Sequence, residues 1–505
     1  MKLVKSLLLG SAAGLAAVAG AQAADLPVRK AAPVEYVRVC STYGAGFFYI
    51  PGTETCLRVG GRARFEYRYE SDRFRTSDVS GFRGLGRLNL DARTQTAYGT
   101  LRTFVRFDIA RRTGTLRSGT QERLGLAFGG TGVDYVGRAQ TNVLVDKAFI
   151  QFGPITAGRA SSFFDFYQND LEFLGTSGSS LPSTTLLAYT ASFGGGFTAT
   201  VSIEDGQERR VPVFGSSFAS YNPLTGTFTS GAFNAAQTNQ LPDIVAALRV
   251  DQSWGSAQLS AAMHQIRVAG AASNSITGTT VTLGNAGYAP DTEYGFAIQG
   301  GLKFNLPMIA AGDVLWLQAA YAQGAGNYVY GGAYAFGGAT ANQSGDRGGL
   351  IGQTLDAVTT IYGDVKLTES YSVVAGFLHY WTPQIRQGVF GSYTKIDYSN
   401  ILRTQYGPLG VLGTGGVPTA GSALNGLDAR FKDLSVFAVG TNLIWSPVRD
   451  LDIGVEVLYN RLDPRGRVVD VNRPFSQVIP GVGTVQRTIS YDDIIVGQLR
   501  IQRDF

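Results

Sequence analysis

The stretch CLRVGGRARFEYRYE, residues 56–70, sets arginine at 58, 62, 64 and 68, with Glu66 and Glu70 in the same alternating frame. TLRTFVRFDIA repeats the device with Arg102 and Arg106, and GRLNLDAR adds Arg87 and Arg93. Fixed guanidiniums at this spacing hold and orient anions and polar solutes. Packed together they repel, so each needs a carboxylate or a phosphate-like ion, and Glu66 and Asp91 are at hand. Of the 35 arginines, 15 lie between Arg58 and Arg123. A plainer reading stands beside this one: arginine outnumbers lysine 35 to 8 throughout, and some of these groups are simply solvated or paired at strand ends. Catalysis has less to work with. A nucleophile needs a placed base, and the chain has two histidines, His264 and His379, and no G-x-S-x-G turn. No enzyme, cofactor or metal site is read; both histidines are read as wall residues, with His264 facing inward.

What must hold these arginines is a strand. Leu57, Val59, Gly61, Ala63, Phe65, Tyr67 and Tyr69 form the other frame of the opening stretch, and a period of two means a strand with two faces. A soluble sandwich would turn the charged face to water and the apolar face to a core. A transmembrane barrel inverts this, apolar to lipid and polar to a wet lumen. Sixteen segments read as strands, near 57–70, 83–95, 99–111, 143–152, 154–160, 185–193, 197–204, 243–252, 256–267, 293–304, 313–323, 356–367, 370–381, 434–446, 450–461 and 490–505. Their links alternate strictly, seven short and eight long, the long ones including 323–356 and 381–434. GVFGSYTKIDYSN, inside 381–434, is counted as loop. Alternation puts every long loop at one end and both termini at the other, which is the layout of an up-and-down transmembrane β-barrel. A sandwich has no reason to segregate loop lengths, and sixteen strands leave room for an aqueous channel.

The N-terminus agrees with export. MKLVKSLLLGSAAGLAAVAGAQA, residues 1–23, reads as a secretory signal peptide rather than an anchor. Residues 24–505 then form the barrel domain, with 24–56 as an N-terminal extension. No later apolar run reaches about 18 residues, so only a closed barrel can enter a membrane. The net charge of +5 is too balanced for nucleic-acid binding. Cys40 and Cys56 are the only cysteines. In an oxidising compartment they pair, contributing about 3 kcal/mol by the chain-entropy argument. Metal binding or a reactive thiol are the alternatives, and neither has a third ligand or a histidine nearby. Tyr67, Tyr69, Trp381, Trp445 and Tyr459 fall toward strand ends, where membrane-interface girdles sit. The last segment, YDDIIVGQLRIQRDF, alternates Ile495, Gly497, Leu499 and Ile501 against Gln498, Arg500 and Gln502 and closes on Phe505.

A resemblance sharpens this. VEYVRVCSTYGAGFFYIPGTETCLRVGGRARFEY is similar to the N-terminal segment of the general porins of alphaproteobacterial outer membranes, and DKAFIQFGPITAGRASSFFDFY resembles the hairpin leading into a porin constriction loop. The likeness extends to Phe505, a terminal aromatic like that read by the barrel assembly machinery, although Arg503 departs from the usual apolar residue. It implies an all-β, sixteen-stranded barrel in outer-membrane lipid, usually a homotrimer, through which small hydrophilic solutes and ions diffuse passively. It also implies that the third long loop, near 160–185, folds into the lumen. That loop carries Asp165, Asp170 and Glu172. Set against Arg62, Arg64, Arg102 and Arg106, with Arg87 and Arg93 joining them, these acids would make a charged eyelet. The alternatives are a substrate-selective channel for a sugar or an anion, using the aromatics of FFDFYQNDLEF as a track, and a non-transport structural protein of the outer membrane.

Overall fold

The computed structural model describes residues 38–71, 79–116, 139–175, 183–211, 213–222, 227–235, 237–268, 275–277, 280–282, 290–330, 355–360, 364–401, 432–469, 477–479, 483–485 and 488–505. The expected signal peptide lies outside these residues. Sixteen long strands pair antiparallel with their neighbours in chain order, and the last pairs with the first, so the sheet closes on itself. They are β1 (Cys56–Glu70), β2 (Ser80–Thr96), β3 (Gly99–Thr113), β4 (Ala139–Phe152), β5 (Ile155–Ala160), β6 (Thr184–Gly194), β7 (Phe197–Glu204), β8 (Asp243–Gln252), β9 (Gly255–Ile266), β10 (Glu293–Asn305), β11 (Val314–Gln323), β12 (Glu369–Thr382), β13 (Ile385–Asp397), β14 (Leu434–Val448), β15 (Leu451–Pro464) and β16 (Asp492–Asp504). Closure removes the edges an open sheet would leave unpaired. It runs from Arg62↔Asp504 to Glu70↔Val496, and is extended by the exchange of backbone hydrogen bonds between Gly61 and Phe505 at 2.9 and 3.1 Å.

The alternation is inverted relative to a water-soluble sheet. Leu248 is 59% exposed and Val455 52%, whereas Gln299 and Glu456 are 1% exposed. Along β1 the outward set Val59, Phe65 and Tyr69 is exposed while Glu66 is fully buried. Large apolar groups cover the outside of the wall, from Ile109 on β3 through Leu259 on β9 and Val373 on β12 to Ile495 on β16. In water each would forfeit roughly 1.5–3 kcal/mol of burial; against lipid they forfeit nothing, and the charged frame faces a wet interior. Exposed aromatics gather at both ends of the wall. Tyr98, Phe193, Trp254, Trp381 and Trp445 lie at the short-turn end, and Tyr69, Phe82, Tyr294 and Tyr371 toward the other. These positions suit two interfacial girdles.

Seven short turns and eight long connections alternate around the barrel, as the linkers indicate. Two segments correct the sequence reading. Residues 356–367 do not cross the wall. Ala357–Thr359 and Val365–Leu367 pair with each other as a small hairpin, turned at Thr360 and Asp364, and Ala357–Thr359 also pairs in parallel with Val213–Asn222. The wall strand is β13, within the segment read as loop. Its period was masked by Gly388 and Gly391, although Phe390, Ser392, Thr394 and Ile396 are buried in one frame. One error offset the other: the count stays at sixteen, and the two long connections become 323–369 and 397–434.

The described residues 38–57 form a unit of their own. Within it Cys40 and Cys56 are joined by a disulfide with Cα atoms 5.9 Å apart. Phe48–Tyr49 pairs with Cys56–Leu57, and Phe47, Tyr43 and Tyr49 pack on the bridge. Its role is to hold a hairpin too short to bury a core of its own.

Candidate functional site: a charged opening within the barrel

After β5 the chain turns inward and lies along the inner wall. Inward amides and hydroxyls receive its backbone. The Phe164 carbonyl accepts from Gln258 at 3.2 Å, Ser260 at 2.7 Å and Gln299 at 2.8 Å. The Tyr167 N–H donates to Gln318 at 2.9 Å. Asn442 donates to the Leu171 carbonyl at 2.6 Å, and Glu456 accepts from the N–H groups of Phe173 and Leu174 at 2.6 and 2.7 Å. An irregular segment buried inside a barrel must find partners for its backbone, and this polar ladder supplies them from β9 to β15. Glycines make the room. A Cβ on Gly301 would run into the Phe166 ring, and one on Gly454 would come within 2.7 Å of the Phe173 ring. Phe166 and Tyr167 pack against Trp316 with centroids 5.2 and 5.3 Å away.

Between this inserted loop and the remaining wall lies an opening of about 500 Å³. The loop borders it with Asp170 and Glu172, the wall with Arg62, Arg64, Arg87, Arg106, Arg386 and Arg500. Strand register gives these arginines their partners. Arg62 faces Asp504 across the closing pair and forks onto it at 2.5 and 3.0 Å. Arg64 faces Gln502, at 2.8 Å, with Glu66 no nearer than 3.6 Å. Arg87 forks onto Asp108 at 2.7 Å. Arg106 bonds Asn89 at 2.9 Å and Asp146 at 3.3 Å. Glu66 is held by Arg83 and, at 2.9 Å, by Arg500. Arg500 also donates to the Phe173 carbonyl at 3.1 Å and covers its ring at 4.1 Å, joining wall to loop. Arg64 and Arg106 take neutral amides as their nearest acceptors, so their charge is the least compensated at this opening.

The structure thus gathers Arg62, Arg64, Arg87, Arg106, Asp170 and Glu172 around one opening. Asp170 is exposed, on a turn where Asn169 takes a positive φ of 54°. Glu172 is buried and accepts from the Tyr167 hydroxyl at 2.7 Å. Arg102 and Arg93 are not among its lining: both bind Asp91, and Arg102 is four residues down β3 from Arg106, about 13 Å toward the short-turn end. Asp165 is also elsewhere, buried at 5% exposure against Arg209. Sequence reasoning missed Arg386, which sits on the unrecognised β13, and passed over Arg500, whose inward frame on β16 was legible. His264 faces inward and bonds Asp243 at 2.9 Å. His379 does not: it shares the outward frame of Phe377 and Trp381 and packs with both rings. The loop aromatics Phe164, Phe166 and Tyr167 are turned into the wall, not along the opening.

Comparison with known proteins accords with this architecture. The family described as the porin subfamily matches residues 25–478. Porin Omp2b of Brucella canis is 34% identical over 344 residues, covering 63% of this chain and 84% of the relative. Porin Omp2b of Brucella melitensis biotype 1 is 33% identical over 344 residues with the same coverage. Among solved structures, the outer membrane channel DcaP of Acinetobacter baumannii superposes with a TM-score of 0.53 at 14% identity, covering 90% of this chain and 99% of that one. At that identity the likeness speaks for the fold.

Proposed function

Since the chain belongs to the porin family and forms a passive diffusion channel across the outer membrane, we propose that small hydrophilic solutes and ions pass through the opening between the inserted loop and the arginine wall, and that opposed charges there sort them. The observation that supports this is the placement of Asp170 and Glu172 on one side of the opening and Arg62, Arg64, Arg87 and Arg106 on the other. Opposed rows of charge set up a transverse field, strengthened by low-dielectric walls. Dipolar solutes align in it, while apolar ones must displace ordered water. Family membership implies a channel rather than an enzyme. Of the aromatics that would have formed a sugar track, Phe164, Phe166 and Tyr167 are packed away from the opening and Phe173 alone borders it, under Arg500, so no line of aromatics supports that alternative. We extend the reading to a homotrimer in outer-membrane lipid, and to the barrel assembly machinery as the reader of the final strand and Phe505; family resemblance supports both. The test is single-channel recording of the refolded protein in a planar bilayer under a salt gradient. Large, stepwise conductance with a reversal potential set by the opening's charges fits the reading. A folded, heat-modifiable barrel that passes no current would reject it.

A further inference from the structure

The lumen holds a second inserted segment. Between β11 and β12 the described chain folds inward through Ala325–Tyr330 and Leu355–Val358, and every residue of the short helix Asn327–Tyr330 is buried. The segment covers small and apolar inward positions, among them Val245, Ala262, Ala297, Ala320 and Ile396, together with inward Asp243 and His264. Asp356 anchors it, accepting from the N–H groups of Val211 and Gly326, each at 3.0 Å, and from Gln237 at 2.6 Å. Among the described residues, the constriction loop meets this segment around Arg209. Arg209, just after β7, donates to both carboxylate oxygens of Asp165 at 2.9 and 3.0 Å. Its guanidinium lies 4.2 Å from the Tyr328 ring centre and reaches the Asn327 carbonyl at 3.4 Å. Phe164 meets Tyr328 edge-on at 4.7 Å, and the Tyr328 hydroxyl donates to Asp243 at 2.7 Å. Both side chains of the ion pair are almost wholly withdrawn from solvent, at 1 and 2% exposure.

We infer that Arg209 is a positioning residue for the channel: by clasping Asp165 of the constriction loop to the second lumenal segment, it fixes the near end of that loop and so sets the size of the opening. This rests on the reading that the loop bounds the conducting opening. Arg209 touches no transported solute; it acts through the loop. A buried ion pair is weak evidence for stability, because desolvation opposes it, but removing one partner strands the other charge. The fork and the ring face call for arginine rather than any cation. Losing the clasp therefore loosens the segment around Asp165, leaving its near end held by the bonds of Gln258, Ser260 and Gln299 to the Phe164 carbonyl, while the ladder from Gln318 to Glu456 still holds the far end.

The experiment compares wild type, Arg209→Met, Arg209→Lys and Asp165→Asn in planar bilayers. It reads conductance, open-channel noise, and the largest polyethylene glycol that enters the pore. The clasp requires Arg209→Met to admit a polymer that wild type excludes and to conduct with more noise, while the reversal potential stays put because the arginine wall is untouched. Arg209→Lys should fall between the two. Asp165→Asn keeps shape and an acceptor, serves if Arg209→Met fails to fold, and should shift the cutoff in the same direction. An unchanged cutoff and unchanged noise in a folded variant overturn the inference. A structural role alone would lower the unfolding temperature and leave the cutoff where it was. If wild type itself passes no current, the fault lies with the channel reading, not with the clasp.

Discussion

Along β16 and β1 to β3 the inward positions carry arginine matched to carboxylate or amide by strand register, whereas along β8 to β13 they include Val245, Ala262, Ala297, Ala320 and Ile396. Both sets face away from lipid. The first borders an opening; the second is covered by chain that has folded inside. An inward frame in a barrel is therefore not by itself a water-facing frame. Its composition reports what lies on it: rows of arginine where water does; small apolar groups, amides and individually bonded ionisable groups such as Glu456 and Asp243 where protein does. The inserted loop takes its shape from the covered side, through Gln258, Gln299, Gln318, Asn442 and Glu456, and presents Asp170 to the charged side.

Substitutions on the two sides should then fail differently. The largest effect is expected at Glu456. Glu456→Leu strands the N–H groups of Phe173 and Leu174, which should cost about 2–5 kcal/mol, read as a lower denaturant midpoint in detergent, together with a noisier and larger conductance. The outer face of the same strand gives a comparable loss by another route. Val455→Arg puts a charge against lipid and should cost about 2–4 kcal/mol, without changing the conductance of the molecules that fold. Gly301→Val overpacks the seat of Phe166 and should cost about 1–3 kcal/mol, seen in the same unfolding assay. The smallest stability effect belongs to the charged wall. Arg64→Ser with Arg106→Ser should cost least, because the nearest acceptor of each is a neutral amide and Glu66 and Asp146 keep other arginine partners, yet it should move the reversal potential toward cation preference. If the double variant instead unfolded the barrel and left selectivity alone, the division between the two sides would be wrong.

How much of this was readable in advance follows the same line. Alternation in β1 and β3 placed Arg62, Arg64 and Arg106 inward because a regular strand fixes side-chain direction every second residue. A hairpin inside the lumen and a strand in the wall share the same short-range pattern, which misassigned 356–367; the segregation of loop lengths survived because β13 made up the count. β13 was hidden because Gly388 and Gly391 dilute its period. The loop acids were legible as a group but not one by one. An irregular segment has no period to say which side packs, so nothing in FFDFYQNDLEF distinguished buried Asp165 from exposed Asp170. The partner of Asp165 lies 44 residues on, at Arg209, with no local signal linking them. Gln318 and Glu456 were visible as inward polar residues; that they receive loop backbone depends on where the loop seats.

The central claim is that the arginine frame of β1 faces conducting water while the apolar frame of the same barrel faces lipid. Thiol modification tests it directly, and the background is clean because the described chain has no free cysteine. Arg64→Cys and Val455→Cys would each be exposed to a charged, water-soluble methanethiosulfonate during single-channel recording. A step down in current with Arg64→Cys, and none with Val455→Cys, is the expected result. Equal responses, or a response from Val455→Cys alone, would contradict the account.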